Sequence, residues 1–100
     1  MITFDVRSDI VVVGHDSESA DMSNPNGELY GVAYYVVMID EKGNRWAHDY
    51  RFMNDEAAAI EFRDKVANTY NKGIVRLKYE HWLEVEPVYG SEAYIQQYGG

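Results

Sequence analysis

Residues 29–53, LYGVAYYVVMIDEKGNRWAHDYRFM, contain the pattern that decides the fold. The run over residues 29–39 is apolar, β-branched and aromatic, which favours a central strand over a helix. Turn chemistry follows, with Gly43 available for a positive φ, and residues 45–53 then alternate in polarity. The pattern predicts a β-hairpin whose second strand covers residues 45–53. Four ring side chains share one face of that strand: Trp46, His48, Tyr50 and Phe52.

The stretch after this hairpin has the features of an amphipathic helix. Asn54 or Asp55 can cap its N-terminus, and Gly73 can end it in a left-handed conformation. Apolar residues recur at a spacing of three to four, so we expect a helix over residues 55–72 that packs on the aromatic face of the hairpin. Its stripe consists of Ala59, Phe62, Val66 and Tyr70.

Strand patterns on both sides of this unit complete the predicted fold. Residues 2–7 alternate as a strand with one wet face, and the β-branched run at 10–13 either continues it or forms another strand. Residues 74–77 are ambiguous, and residues 82–86 alternate as an edge strand that Pro87 stops. Ser91 can cap a short final helix. We predict one α+β domain over residues 1–100, an antiparallel sheet of four to five strands with one main helix on one face.

Residues 14–27 interrupt these patterns. The segment is rich in Ser, Asp, Asn and Gly and contains almost nothing apolar except Met22. Such a segment buries too little surface to order itself easily, so we predict a long mobile loop. Loops of this length are often functional in small domains.

Composition narrows the class of protein. The chain has 100 residues and an apolar share of 46%, which are typical of a single folded domain. It contains no cysteine, which excludes disulfides and thiolate chemistry. No apolar run approaches the roughly 20 residues that span a bilayer, and the first residues lack the basic start of a secretory signal. We therefore expect a cytoplasmic protein with no membrane partner.

The net charge of −8 is concentrated toward both ends of the chain. Residues 1–30 carry −5, residues 79–100 carry −4 and the middle carries +1. No cluster of basic residues is present to neutralise phosphates, so direct nucleic-acid binding is disfavoured. The acidic ends either keep the protein soluble or attract a basic partner. The carboxylates that we expect to bind such a partner are Asp16, Glu18, Asp21, Glu84 and Glu86.

Motifs for catalysis and for cofactor binding are not found in the sequence. It has no nucleophile elbow, phosphate loop or dinucleotide fingerprint, and the acids of the loop do not follow the calcium-loop pattern. His15, His48 and His81 are not paired at the spacing of metal ligands, and we expect His48 to have a packing role. We predict no catalytic residue, metal or cofactor. An enzyme would need these histidines to converge with carboxylates in a pocket.

Aromatic residues crowd the acidic C-terminal fifth of the chain. Tyr and Trp side chains supply interface energy at a low entropic cost, so Tyr89 is predicted to anchor a partner. The alternative is that these rings pack on the sheet. The residues are Tyr79, Trp82, Tyr89, Tyr94 and Tyr98.

The C-terminal segment also resembles known proteins. Trp82 and the later residues 87–94, PVYGSEAY, are similar to a tail found in small proteins of phages and prophages, a match that covers about a fifth of the chain. The size and acidity of the chain resemble phage-encoded inhibitors of bacterial defence, anti-CRISPR proteins among them. The resemblance implies a stoichiometric binder in the cytoplasm of a bacterial host, and no residue motif carries function across these inhibitors.

Our leading hypothesis from the sequence is a non-catalytic inhibitor that blocks a basic, nucleic-acid-binding surface of a CRISPR complex. It requires the two acidic ends and the aromatic tail to form one contiguous docking face. The alternatives are a small homo-oligomeric phage accessory or assembly domain, in which an exposed apolar strand edge and the tyrosine-rich tail meet a second copy, and a small enzyme.

Overall fold

The β-branched and aromatic run becomes the long inner strand of an antiparallel sheet in the computed structural model, which describes residues 2–72 and 81–99. The elements are β1 (Thr3–His15), β2 (Glu28–Ile39), β3 (Arg45–His48), β4 (Phe52–Met53), α1 (Glu56–Asn71), β5 (Trp82–Val85) and α2 (Glu92–Tyr98). The strand order is β1-β2-β3-β5, and β4 also pairs with β2. Two α-helices accompany the sheet in the described residues, and the predicted α+β architecture is confirmed.

The hydrophobic core lies between α1 and one face of the sheet. Val36, Met38 and Trp82 form its buried centre. The predicted helix stripe faces this centre, since Phe62 and Val66 pack against it, and Asp55 caps the helix by accepting a hydrogen bond from the Ala58 N–H at 3.0 Å. The other side chains packed around the centre are Ile2, Phe4 and Trp46.

The second strand of the hairpin is interrupted, which corrects the prediction of a continuous strand over residues 45–53. β3 ends at His48 and β4 begins at Phe52. The Tyr50 N–H donates to Nδ1 of the His48 ring at 3.0 Å, and the Arg51 guanidinium donates to the His48 carbonyl. Because these side chains satisfy backbone groups locally, the chain leaves the strand ladder between β3 and β4.

β1 and β2 extend beyond their neighbours as a hairpin arm, which comprises residues 9–15 and 28–32. β3 pairs with residues 37–39 of β2 and β4 pairs with residues 33–34, so among the described strands only β1 pairs with β2 along the arm. The two patterns predicted at residues 2–7 and 10–13 are one strand with a bulge near Val13. The radius of gyration of 17.2 Å exceeds the roughly 13 Å of a compact domain of this length, and the projecting arm contributes to that excess.

Some predictions fall on residues 73–80, which lie outside the described part of the chain. They concern Gly73 as the helix end, the ambiguous stretch at residues 74–77, and Tyr79 in the aromatic tail. Neither α-helix in residues 2–72 and 81–99 combines the length and apolar character that crossing a membrane requires.

Candidate functional site

The acidic loop at the tip of the hairpin arm is held together by local hydrogen bonds. β1 includes Gly14 and His15, and the Asp16 N–H then donates to the Gly27 carbonyl at 2.7 Å. Gly27 has a φ of +62° and lies against the Asp16 backbone, where a Cβ would collide, so this closure requires glycine. The Asp16 carboxylate accepts from the Glu18 N–H at 3.0 Å and caps a single turn of 3-10 helix.

The Asp21 carboxylate takes part in the structure of the loop itself. It accepts hydrogen bonds from the Ser23 hydroxyl at 2.7 Å, the Asn24 N–H at 2.8 Å and the Ser23 N–H at 2.9 Å. These bonds, led by that of the Ser23 hydroxyl, lower the pKa of Asp21. Asp21 therefore organises the loop, whereas the exposed Glu18 side chain is better placed to meet a partner. Mobility of residues 14–27 stays a prediction.

The C-terminal segment docks on the turn between β2 and β3. The Arg45 Nε donates to the Glu86 carbonyl at 2.8 Å, where the chain leaves β5. The Val88 N–H donates to the Gly43 carbonyl at 2.9 Å, and the Ala93 N–H donates to the Lys42 carbonyl at 2.8 Å. These backbone bonds fix the position of α2 relative to the sheet.

Three tyrosines form a row along this segment. The ring centroids of Tyr89 and Tyr94 are 5.0 Å apart, and those of Tyr94 and Tyr98 are 4.7 Å apart. Tyr89 is 85% exposed. Partial burial and then the charge of the Glu86 carboxylate raise the pKa of Tyr98, which places this acid beside the row. Glu84, Glu86 and the three tyrosines are called the tail surface below.

Trp82 is not part of the tail surface, which corrects its place in the predicted aromatic cluster. Trp82 is 8% exposed. The centroid of its ring lies 4.8 Å from that of His48 and 6.4 Å from that of Phe4. Trp82 and Glu84 of β5 point to the same face of the sheet, where Trp82 pairs with the buried His48 and Glu84 pairs with Trp46. Trp82 is buried and Glu84 is exposed, so the two residues differ in their position along the strand and not in the face they occupy.

The fold separates the two acidic sets, so the predicted single docking face is wrong. Asp16, Glu18 and Asp21 lie beyond the end of β2 that begins at Glu28. Glu84 lies level with Met38 near the other end, because both residues pair with Trp46. Ten residues of strand between those two rows correspond to roughly 33 Å. The fold therefore has two acidic surfaces, and within the described residues the tail surface is the one that carries a row of three contacting tyrosines.

A histidine cluster that the sequence did not predict lies beside β3. His48 stacks between Tyr50 and His81, with ring centroids 5.5 Å and 5.8 Å away. Asp49 Oδ2 is 3.1 Å from the Nδ1 of His81, and this hydrogen bond lowers the pKa of Asp49. Burial lowers the pKa of His48, which keeps its ring neutral at pH 7.

The geometry of the histidine cluster favours a structural role. Nδ1 of His48 accepts from a backbone N–H, and both Asp49 and His81 are nearly half exposed. His15 lies on the hairpin arm, so only two of the three histidines converge. No group of three or more metal-ligating side chains occurs within residues 2–72 and 81–99. The signal for this cluster was the position of His81 directly before an edge strand that pairs with β3.

Comparisons with protein-family models, curated proteins and solved structures give no match for this chain.

Proposed function

We propose that the protein is a non-catalytic binding protein whose tail surface docks on a basic surface of another protein. The observation that carries the proposal is the row of Tyr89, Tyr94 and Tyr98 beside the Glu86 carboxylate. Exposed tyrosines provide rigid contact area, and adjacent carboxylates steer a basic partner into place. The docking of α2 on the β2–β3 turn holds this surface in one arrangement before binding, which reduces the entropic cost of association.

The target in this proposal is the nucleic-acid-binding surface of a bacterial CRISPR complex, and the protein is a phage-encoded inhibitor in the host cytoplasm. The resemblance of the C-terminal segment to phage proteins and the net charge of −8 support this choice. Asp16 and Glu18 supply a second, weaker contact roughly 33 Å from the tail surface. A groove that holds a nucleic acid is long enough to meet both surfaces.

The test is titration of a purified CRISPR effector complex with the protein over a series of salt concentrations. We expect loss of target-DNA binding and an affinity that falls as salt rises, because screening weakens the steering charges. An affinity that does not depend on salt, or unchanged DNA binding at saturation, would count against the proposal.

Two matched pairs of variants locate the contact. Tyr89→Ala should weaken binding about 30-fold, as expected for an interface hot spot. Tyr30→Ala removes a ring of the hairpin arm that is 57% exposed and should have little effect. Glu86→Gln should slow association and flatten the salt dependence, whereas Glu61→Gln on the exposed side of α1 should not. Equal effects within each pair would exclude the tail surface as the docking site.

A further inference from the structure

The outer edge of β1 has a defined set of backbone groups that no described strand uses. Val32 of β2 exchanges hydrogen bonds with Asn54, donating to its Oδ1 at 2.9 Å and accepting from its N–H at 2.7 Å. The Val32 backbone therefore faces away from β1, and the backbone of its partner Ile10 faces the outer edge. Because this orientation alternates along an antiparallel pair, the outward residues of β1 are Phe4, Val6, Ser8, Ile10 and Val12.

We propose that this edge pairs antiparallel with β1 of a second copy of the chain, with Ser8 on the two-fold axis. The outward set is centred on Ser8, so this register pairs every member: Phe4 with Val12 of the second copy, and Val6 with its Ile10. About ten backbone hydrogen bonds between the copies result, and two of them replace the bond that each Val6 N–H makes to the Asp5 carboxylate in the monomer. Any other register leaves outward groups at one end without a partner.

Charge selects the same register. The side chains of Arg7 and Asp9 point to the sheet face opposite α1, because residues of odd number alternate with the core-facing Phe4 and Val6. With Ser8 on the axis, each Arg7 lies opposite Asp9 of the second copy. A shift of the axis by one residue places Arg7 against Arg7, or Asp9 against Asp9, and like charges directly opposite one another are destabilising.

The arrangement also covers apolar surface that the monomer exposes. Ile10 is 77% exposed and Val12 is 47% exposed, both on the sheet face that α1 covers elsewhere. α1 lies over the N-terminal half of β1. There the ring centroids of Tyr70 and Phe4 are 5.6 Å apart, and Ile60 lines a groove together with Val6. The two-fold rotation places α1 of the second copy beside Ile10 and Val12, on the same face of the sheet. Ile10 then meets Val6 of the second copy, and edge-to-edge pairing joins the two cores.

The dimer goes beyond the proposed function and is independent of it. Among the described strands, β1 and β5 lie at opposite edges of the sheet, so pairing at β1 leaves both tail surfaces away from the contact between the copies. The homo-oligomer considered from the sequence used both an exposed apolar strand edge and the tail, whereas this dimer uses the edge of β1 and not the tail. A partner protein would meet a bivalent molecule.

The test is analytical ultracentrifugation of the full chain from low to high micromolar concentration. We expect a monomer–dimer equilibrium that Ser8→Pro abolishes, because proline removes an outward N–H and leaves the bonds between β1 and β2 intact. Arg7→Glu and Asp9→Arg should each weaken the dimer about tenfold through two like-charge pairs, and the double variant should restore it. Circular dichroism establishes that each variant is folded.

Three results would overturn the proposal. One is a wild-type monomer at the highest concentration, which would leave this edge for a strand of another protein. Another is a dimer that neither charge reversal weakens, which would place the contact elsewhere. The third is a double variant that associates no better than its two parents. The two charge reversals and the double variant test the proposed register even if Ser8→Pro does not fold. None of these results bears on binding by the tail surface.

Discussion

His48 shows how one residue connects the two halves of the core. The sequence predicted a packing role for it, and the ring is buried, 4.9 Å from Phe62 and 4.8 Å from Trp82. Asp49 favours the charged form of the ring, whereas burial, His81 and Arg51 disfavour it, and burial has the largest effect, so the pKa of His48 is lowered. The native state therefore resists protonation of this side chain.

The lowered pKa of His48 predicts a loss of stability in mild acid. Above the pKa of about 6.5 of an unfolded histidine, both states are neutral and His48 adds no pH dependence. Below it the unfolded chain binds a proton that the native ring resists, so the free energy of unfolding falls by at most about 1.4 kcal/mol per pH unit toward the native pKa. Urea titrations at several pH values should show this slope reduced in His48→Gln. Equal slopes in the wild type and in His48→Gln would contradict it.

Local residue roles could be predicted from the sequence, and distant pairings could not. Asp55 and Ser91 cap their helices as expected, because a cap depends only on the next three residues. The contact between Asp49 and His81 joins residues far apart in the chain, and it forms only because β5 pairs with β3 in one register. The register of β5 on β3 cannot be predicted from residue types or from their spacing in the sequence.

At the scale of elements, the docking of α2 depends on one glycine. Gly43 has a φ of +90°, and a Cβ added there would lie 2.2 Å from the Ser91 side chain. Gly43→Ala should therefore cost about 2–4 kcal/mol, through backbone strain and the clash, and should displace the tail surface. Gly90→Ala is the matched control, since Gly90 has a φ of +77° but nothing within 4 Å of an added Cβ.

Thermal unfolding and the near-ultraviolet dichroism of the tyrosine row measure both effects. We expect Gly43→Ala to lower the melting temperature more than Gly90→Ala and to change the tyrosine signal. Equal losses for the two variants would mean that strain alone matters and that the contact between Gly43 and Ser91 does not hold α2 in place.

Element types followed from periodicity, but their interruptions did not. The strong alternation over residues 45–53 predicted one strand, and the aromatic side chains do face α1, as the Phe62 contacts with Tyr50 and Phe52 show. The break after His48 arises from hydrogen bonds of the His48 ring and the Arg51 side chain, which compete with the ladder. Such competition depends on side-chain conformations that binary patterning does not describe.

At the scale of the whole molecule, closeness to the chain ends was a poor guide to closeness in space. The two acidic sets lie near the two termini, and the prediction of one face assumed that the termini meet. The length of β2 and the strand order β1-β2-β3-β5 separate them instead. The length of β2 and the register of the strands paired with it set this distance, and register is a property of the assembled sheet rather than of any segment.

Hydrogen exchange gives a whole-molecule prediction that follows from pairing at the β1 edge. In the monomer, the N–H groups of Phe4, Val6, Ser8, Ile10 and Val12 point away from β2, and that of Val6 donates to the Asp5 carboxylate at 2.9 Å, whereas those of Asp5, Arg7 and Asp9 bond to β2. Above the dissociation constant of the dimer, both sets should be protected. On dilution below it, protection should vanish at the even-numbered positions alone, because the bonds between β1 and β2 persist. Residue-resolved hydrogen exchange, measured by NMR at two protein concentrations, detects this alternation.

Two outcomes would contradict the prediction. Protection that is lost equally at neighbouring positions would indicate that the arm frays as a unit. Protection that does not change with concentration would mean that no second copy pairs with this edge.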